Sequence, residues 1–228
     1  MIAWLEGLFM KVIRLLGAAL ACACVAEPAM AQDQDMASFK HWFVRVGPAG
    51  VIYDESAKIR VGGQTIPGAS VTAKNNLTAE LEAGYYFNPN VSVSLTIGGP
   101  PTATLKGTGP LEGLTLGKIT YGPAVAAIQY HLTAFGPKFI PYVGAGVNYT
   151  IVLDNKDGAV QNLRVKSPVG VTFQAGAETM INERFGLFVD AKQVILDTTA
   201  TGTVGGAPAD AKIKINPLIV TGGISFHF

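Results

Sequence analysis

Beyond Ala31 the sequence has no uninterrupted apolar run approaching the ~18 residues of a membrane-spanning helix. Helical spans are therefore excluded from the exported chain. Charge is scarce as well: Asp, Glu, Lys and Arg make up 14% of the residues, against roughly 25% in soluble domains. The net charge of +1 comes with no basic stripe, so nucleic acid is not an expected partner. Cysteine occurs only as Cys22 and Cys24, both ahead of Ala31, which leaves the exported part without a thiol or a disulfide. The histidines His41, His131 and His227 share no metal-ligand spacing. No metal and no other cofactor is expected.

What is abundant is glycine, 27 in 228 residues, above the usual share of roughly 7%. Low charge, high glycine and no helical span fit a membrane β-barrel, whose signal is spread over many short strands. The N-terminus fits export. Lys11 and Arg14 precede the apolar stretch Leu15 to Ala26, and Ala29-Met30-Ala31 follows it, the order of a secretory signal peptide cleaved after Ala31. Residues 1–9 read as an upstream extension, with Met10 as a second possible start, and 32–228 as the barrel. Ala19 and Ala21 stand where a lipid-attachment motif needs a Leu-like residue, so neither cysteine is read as lipidated.

The period-two pattern predicts eight strands of an all-β, antiparallel, up-and-down transmembrane barrel. The last stretch, Ala211 to Phe228, sets Leu218, Val220, Ile224 and Phe226 against Thr221, Ser225 and His227. The others are Phe39 to Tyr53, Leu77 to Phe87, Val91 to Ile97, Ile119 to Leu132, Phe139 to Val152, Pro168 to Ile181 and Phe185 to Thr199. In the fourth, Ala124 to Ala127 blur the parity, and Ile128, Tyr130 and Leu132 are taken as the outer face. Connections alternate between long (54–72, 106–118, 153–167, 200–211) and short (88–90, 133–138, 182–184), as in a barrel with short inner turns and longer outer loops. The charged segment Asp154 to Ser167 has room for a short helix. A lipocalin-like soluble barrel is the rival, with its apolar face turned inward. Against it stand Tyr85, Tyr130, Phe139, Tyr142, Phe185, Phe226 and Phe228, near the short-turn side as an interfacial girdle would be.

The run Lys138-Phe139-Ile140-Pro141-Tyr142-Val143-Gly144-Ala145-Gly146-Val147-Asn148-Tyr149-Thr150 resembles the fifth strand of the outer membrane protein W family. Val44 to Gly47, Asn162 to Lys166, Asp197 to Ala200 and the terminal Phe228 support the resemblance, which covers most of the exported chain. The fourth strand departs from it, carrying Gln129 and His131 where the family tends to have bulkier aromatics, and 106–118 matches weakly. The resemblance implies an eight-stranded outer-membrane barrel of Gram-negative bacteria with a narrow apolar channel for small hydrophobic molecules. It also implies recognition of Phe228, with Phe226 beside it, by the barrel-assembly machinery. Membrane lipid and lipopolysaccharide are the expected surroundings, and a monomer the expected state.

Eight strands enclose a space that side chains largely fill, which excludes a wide aqueous pore. The expected inward set is Arg45, Glu80, Glu82, Gln174, Glu178, Asp190 and Lys192, charges of both signs that must pair if buried. They are read as a polar core that shuts the lumen, with a selectivity filter as the alternative. A solute entering from outside must then leave through the wall. Pro100, Pro101 and Pro123 lack the N–H that a strand ladder needs, and they point to a lateral opening between the third and fourth strands. The alternative is that these prolines merely end their strands at the rim. Two other functions compete. Ser225, His227 and Glu178 contain the elements of a lipid-modifying enzyme, although residues two apart on a strand are ~7 Å apart. A passive surface barrel, valued for its loops as adhesin, receptor or wall anchor, is the other.

Overall fold

A computed structural model describes residues 39–228. The expected signal peptide, its cysteines and the two candidate starts lie outside the described residues. The strands are β1 (Trp42–Ile52), β2 (Glu55–Val61), β3 (Gln64–Thr65), β4 (Ser70–Ala73), β5 (Asn76–Asn88), β6 (Val91–Gly98), β7 (Thr102–Thr108), β8 (Thr115–His131), β9 (Phe139–Asp157), β10 (Gln161–Val165), β11 (Val169–Met180), β12 (Phe185–Val204), β13 (Ala207–Ile215) and β14 (Leu218–His227). Eight of them form a closed antiparallel ring, β1–β5–β6–β8–β9–β11–β12–β14 and back to β1. Closure leaves the ring without a free edge strand.

The ring is inside out relative to a soluble protein. On β12, Leu187 and Val189 are 54% and 55% exposed, whereas Asp190 and Lys192, which follow them on the other parity, are 1% exposed. The same alternation exposes Val143 and Val147 on β9 and Val171 and Phe173 on β11. The apolar face points outward on every wall strand where it was assigned, so the lipocalin-like alternative fails. No helix among the described residues is long and apolar enough to cross a membrane.

At one end the strands join through short turns closed by asparagine. Asn88 Oδ1 accepts from the Asn90 and Val91 amides at 2.9 Å, and Asn182 Oδ1 accepts from Arg184 and Phe185 at 2.9 Å. Such side chains stand in for the backbone acceptor of a turn. Trp42, Phe87, Tyr130, Phe139, Phe185 and Phe228 lie exposed around this end. Tyr142 is a correction: it is buried inside the lumen and does not belong to the girdle, because it shares parity with the inward Gly144 and Asn148.

The long connections are not loose loops. β2 pairs with β13, β4 with β7, β7 with β8 and β10 with β12, raising the wall above the ring around a small core of Val71, Leu163, Ala200 and Ile213. The expected last strand divides into β13 and β14 at Asn216-Pro217, where proline supplies no donor and the Pro217 carbonyl accepts the Val194 amide at 3.0 Å.

The segment 154–167 holds the end of β9 and all of β10, and not a helix. Its turn is closed by side chains. Asp157 accepts the Asn162 amide at 2.8 Å and the Leu163 amide at 2.9 Å, and Asn162 takes the left-handed φ of 53° that asparagine tolerates. These donors hold the exposed Asp157 carboxyl below the ordinary carboxylate range. A carboxyl group depressed in this way stabilises the turn above its unfolded pKa and loses that contribution as pH falls through the folded value. Amide resonances of Asn162 and Leu163 should therefore keep their hydrogen-bonded shifts at about pH 4 and move together only on further acidification. A midpoint at or above that of an ordinary aspartate would refute the cap.

Candidate functional site: an apolar cavity above a charged plug

Inward positions change character along the barrel. From the short-turn end, β1 offers Phe43 and Arg45, then Ala49 and Val51; β12 offers Phe188, Asp190 and Lys192, then Val194 and Leu196. β14 runs the other way and gives Ile219 before Thr221, Ser225 and His227. The lower lumen is consequently polar and the upper lumen apolar.

The polar part is a plug. Arg45 donates to Glu178 Oε2 at 2.7 Å and to Gln129 Oε1 at 3.3 Å, and lies 3.6 Å from Glu82. Its guanidinium also lies 4.5 Å from the Phe43 ring centre and 4.4 Å from that of Tyr142, a cation–π arrangement. Lys192 Nζ is 2.6 Å from Glu80, 2.6 Å from Asp190 and 3.6 Å from Glu82. Six of the seven expected inward residues thus join one ion-paired set. The seventh, Gln174, is buried, but its amide has no hydrogen bond to any described residue.

Several members of the plug were not foreseen. Gln129 Nε2 donates to Glu82 and to Ser94 Oγ, and His131 Nε2 meets Ser92 Oγ at 2.9 Å. Both follow from the outer face assigned to Ile128 and Tyr130, yet their polarity read as a departure from the family pattern. His227 is buried with Nε2 2.6 Å from Glu178 Oε1. Ser225 donates to that same oxygen. Serine and histidine therefore each bond the carboxylate and not one another, so the serine–histidine contact of a hydrolase is not formed.

Above the plug lies a cavity of about 100 Å³, lined by Ala49, Val51, Val125, Val194, Leu196 and Ile219 among others, with Glu80 and Lys192 in its floor. A second, of about 200 Å³, lies among Ile59, Leu114, Leu116 and Leu163 of the raised wall. The two share the lining residues Val71, Leu105 and Ile213.

The wall beside the lower cavity is interrupted. The β6–β8 ladder runs to Ile97↔Ala124 and resumes with β7 at Thr102↔Thr120. Between them, Gly98 to Pro101 face Tyr121 to Pro123 without a regular register, and Tyr121 N–H donates to the Pro101 carbonyl at 3.2 Å. Gly98, Pro101 and Pro123 line the cavity, while Pro100 is exposed at the bend. β8 runs straight through Pro123, so these prolines interrupt a ladder and do not end the wall. Gly98 was missed from sequence: a Cβ there would lie 2.8 Å from Pro123 Cγ, so only glycine lets the rims approach. The hydroxyls of Tyr53 and Tyr121 meet at the upper edge of the break.

The model of the OmpW family matches residues 40–228. The chain belongs to the OmpW family. It is 33% identical over 205 residues to the dibenzothiophene metabolism operon protein PahQ of Pseudomonas aeruginosa, covering 90% of this chain and 94% of that one. It is 32% identical to outer membrane protein AlkL of Ectopseudomonas oleovorans, over 94% of this chain and 92% of AlkL. The structure of AlkL in DMPC bilayers superposes with a TM-score of 0.68 at 28% identity, over 89% of this chain and 95% of that one. The crystal structure of OprG from Pseudomonas aeruginosa gives a TM-score of 0.77 at 23% identity, over 83% and 96%, a likeness of fold. This OmpW-family chain is an outer-membrane β-barrel and not an enzyme.

Proposed function

We propose that this barrel takes up small hydrophobic molecules passively, from the outer cavity down to the plug and then sideways into the lipid between β6/β7 and β8. The observation that carries this reading is the coincidence of three features: an apolar cavity, a floor closed by ion pairs, and a ladder break at Gly98, Pro101 and Pro123 in the wall of that cavity. A solute that reaches the floor has no apolar way on except through the break. The PahQ relative is named for a dibenzothiophene metabolism operon, which fits an apolar aromatic cargo. In this reading the barrel acts as a monomer in lipid and lipopolysaccharide, and exposed Phe228, stacked on Phe226 with centroids 5.5 Å apart, is its signal to the assembly machinery.

Pro101→Val with Pro123→Val returns two N–H donors to the interrupted ladder. Cells carrying a cytoplasmic dibenzothiophene-oxidising enzyme should then convert added dibenzothiophene several-fold more slowly than with the wild-type barrel. The difference should vanish once the outer membrane is permeabilised. Unchanged conversion by intact cells, with the variant folded by its heat-shifted gel mobility, would overturn the lateral route.

A further inference from the structure

We infer that the molecule this cavity selects is apolar with one neutral oxygen-bearing group, held head-down by Thr96 and Asn148 at the foot of the wall break. The inference rests on the uptake reading and names the chemistry of its cargo.

Thr96 on β6 and Asn148 on β9 flank Val125 on β8 in direct register. Thr96 lies two residues below Gly98 and Val125 two below Pro123, so this row shares its inward face with the rims of the break. Thr96 is 3% exposed and Asn148 1%, and both line the cavity. The Thr96 hydroxyl has no hydrogen-bond partner among the described residues. Asn148 Oδ1 accepts from Thr150 Oγ1 at 2.8 Å, while its amide nitrogen makes no hydrogen bond there. A buried polar group left unpaired is a standing cost that a ligand atom can remove.

The rest of the floor is occupied. Glu80 accepts from Lys192 on one oxygen and Thr221 on the other, and the Lys192 ammonium already faces Glu80, Asp190 and Glu82. What remains is one amide donor and one hydroxyl that both gives and accepts. A hydroxyl, ether or carbonyl oxygen satisfies both. A carboxylate brings a further negative charge beside three carboxylates that share Lys192, only one of which also meets Arg45, and an ammonium cannot accept from Asn148. With its head on this row, the ligand has its apolar remainder beside Gly98 and Pro123, at the rims of the proposed exit.

The test uses octane, octan-1-ol and octanoate with the purified barrel in lipid nanodiscs, each corrected for partition into empty discs. Octanol should bind about fivefold more tightly than octane at equal concentration in the lipid, the value of one hydrogen bond, and octanoate most weakly. Thr96→Val should remove the octanol advantage and leave octane unchanged, and Thr96→Ser should restore it. Equal binding of octane and octanol, tight octanoate, or an unchanged ratio in Thr96→Val overturns the inference. If the head group proves irrelevant while Pro101→Val/Pro123→Val still slows uptake, this inference falls and the lateral route stands. If no ligand binds saturably, both fall.

Discussion

Arg45→Met should cost the barrel about 3–5 kcal/mol, the penalty for leaving a buried charge without its partner. The arginine is fully buried and bridges Glu178 and Glu82 across the lumen. Methionine replaces most of its volume and none of its charge, so Glu178 loses its guanidinium partner and Glu82 keeps only Lys192, where water cannot make up the loss. Denaturant unfolding in detergent micelles reads the loss. Glu178→Gln in the same chain removes one of the stranded charges, and the double variant should lose less than the sum of the singles, as expected of directly coupled sites. Additive losses would show that Arg45 contributes through its packing on Phe43 and Tyr142, and not through charge.

The second large effect lies at the seam where the first and last ring strands meet. A Cβ at Gly223 would fall on the Val46 carbonyl oxygen and within 2.8 Å of Gly47 Cα, and one at Gly47 would fall on Gly222. The obstacle is backbone on both sides, so no side-chain rotation relieves it. Gly223→Val should therefore cost about 3 kcal/mol, the upper part of the overpacking range. Gly222→Ala, one residue away, meets nothing closer than the Phe188 carbonyl at 3.7 Å and should be tolerated. Melting of the heat-shifted gel band compares the two, and equal melting points would refute the close approach.

How far the sequence could be read depended on how steadily its residues alternate. Where one parity is apolar without interruption, as from Leu77 to Phe87, face, register and the inward Glu80 and Glu82 were all legible. Where alanine occupies both parities, at Ala124 to Ala127, the pattern has no contrast, and Gln129 and His131 were passed over although they sit inside. Tyr142 illustrates a second limit: an aromatic near a strand end suits an interface or a lumen equally well, and only the strictly kept parity of β9 decides. The upper wall was hidden because Gly, Asp and Asn at 154–158 and 205–210 signal turns without saying whether the flanking residues pair. The ladder break was visible, since missing N–H groups are written into proline itself, but Gly98 as its counterpart required knowing which residue lies opposite.

The plug also bears on how many copies a cell can carry. The proposed route, ending on paired charges and turning into lipid, would never join the two aqueous compartments, so ions, sugars and hydrophilic antibiotics would gain no passage from it. Abundance can then rise with the supply of an oily nutrient without compromising the permeability barrier, a freedom that an open pore of any width would forfeit.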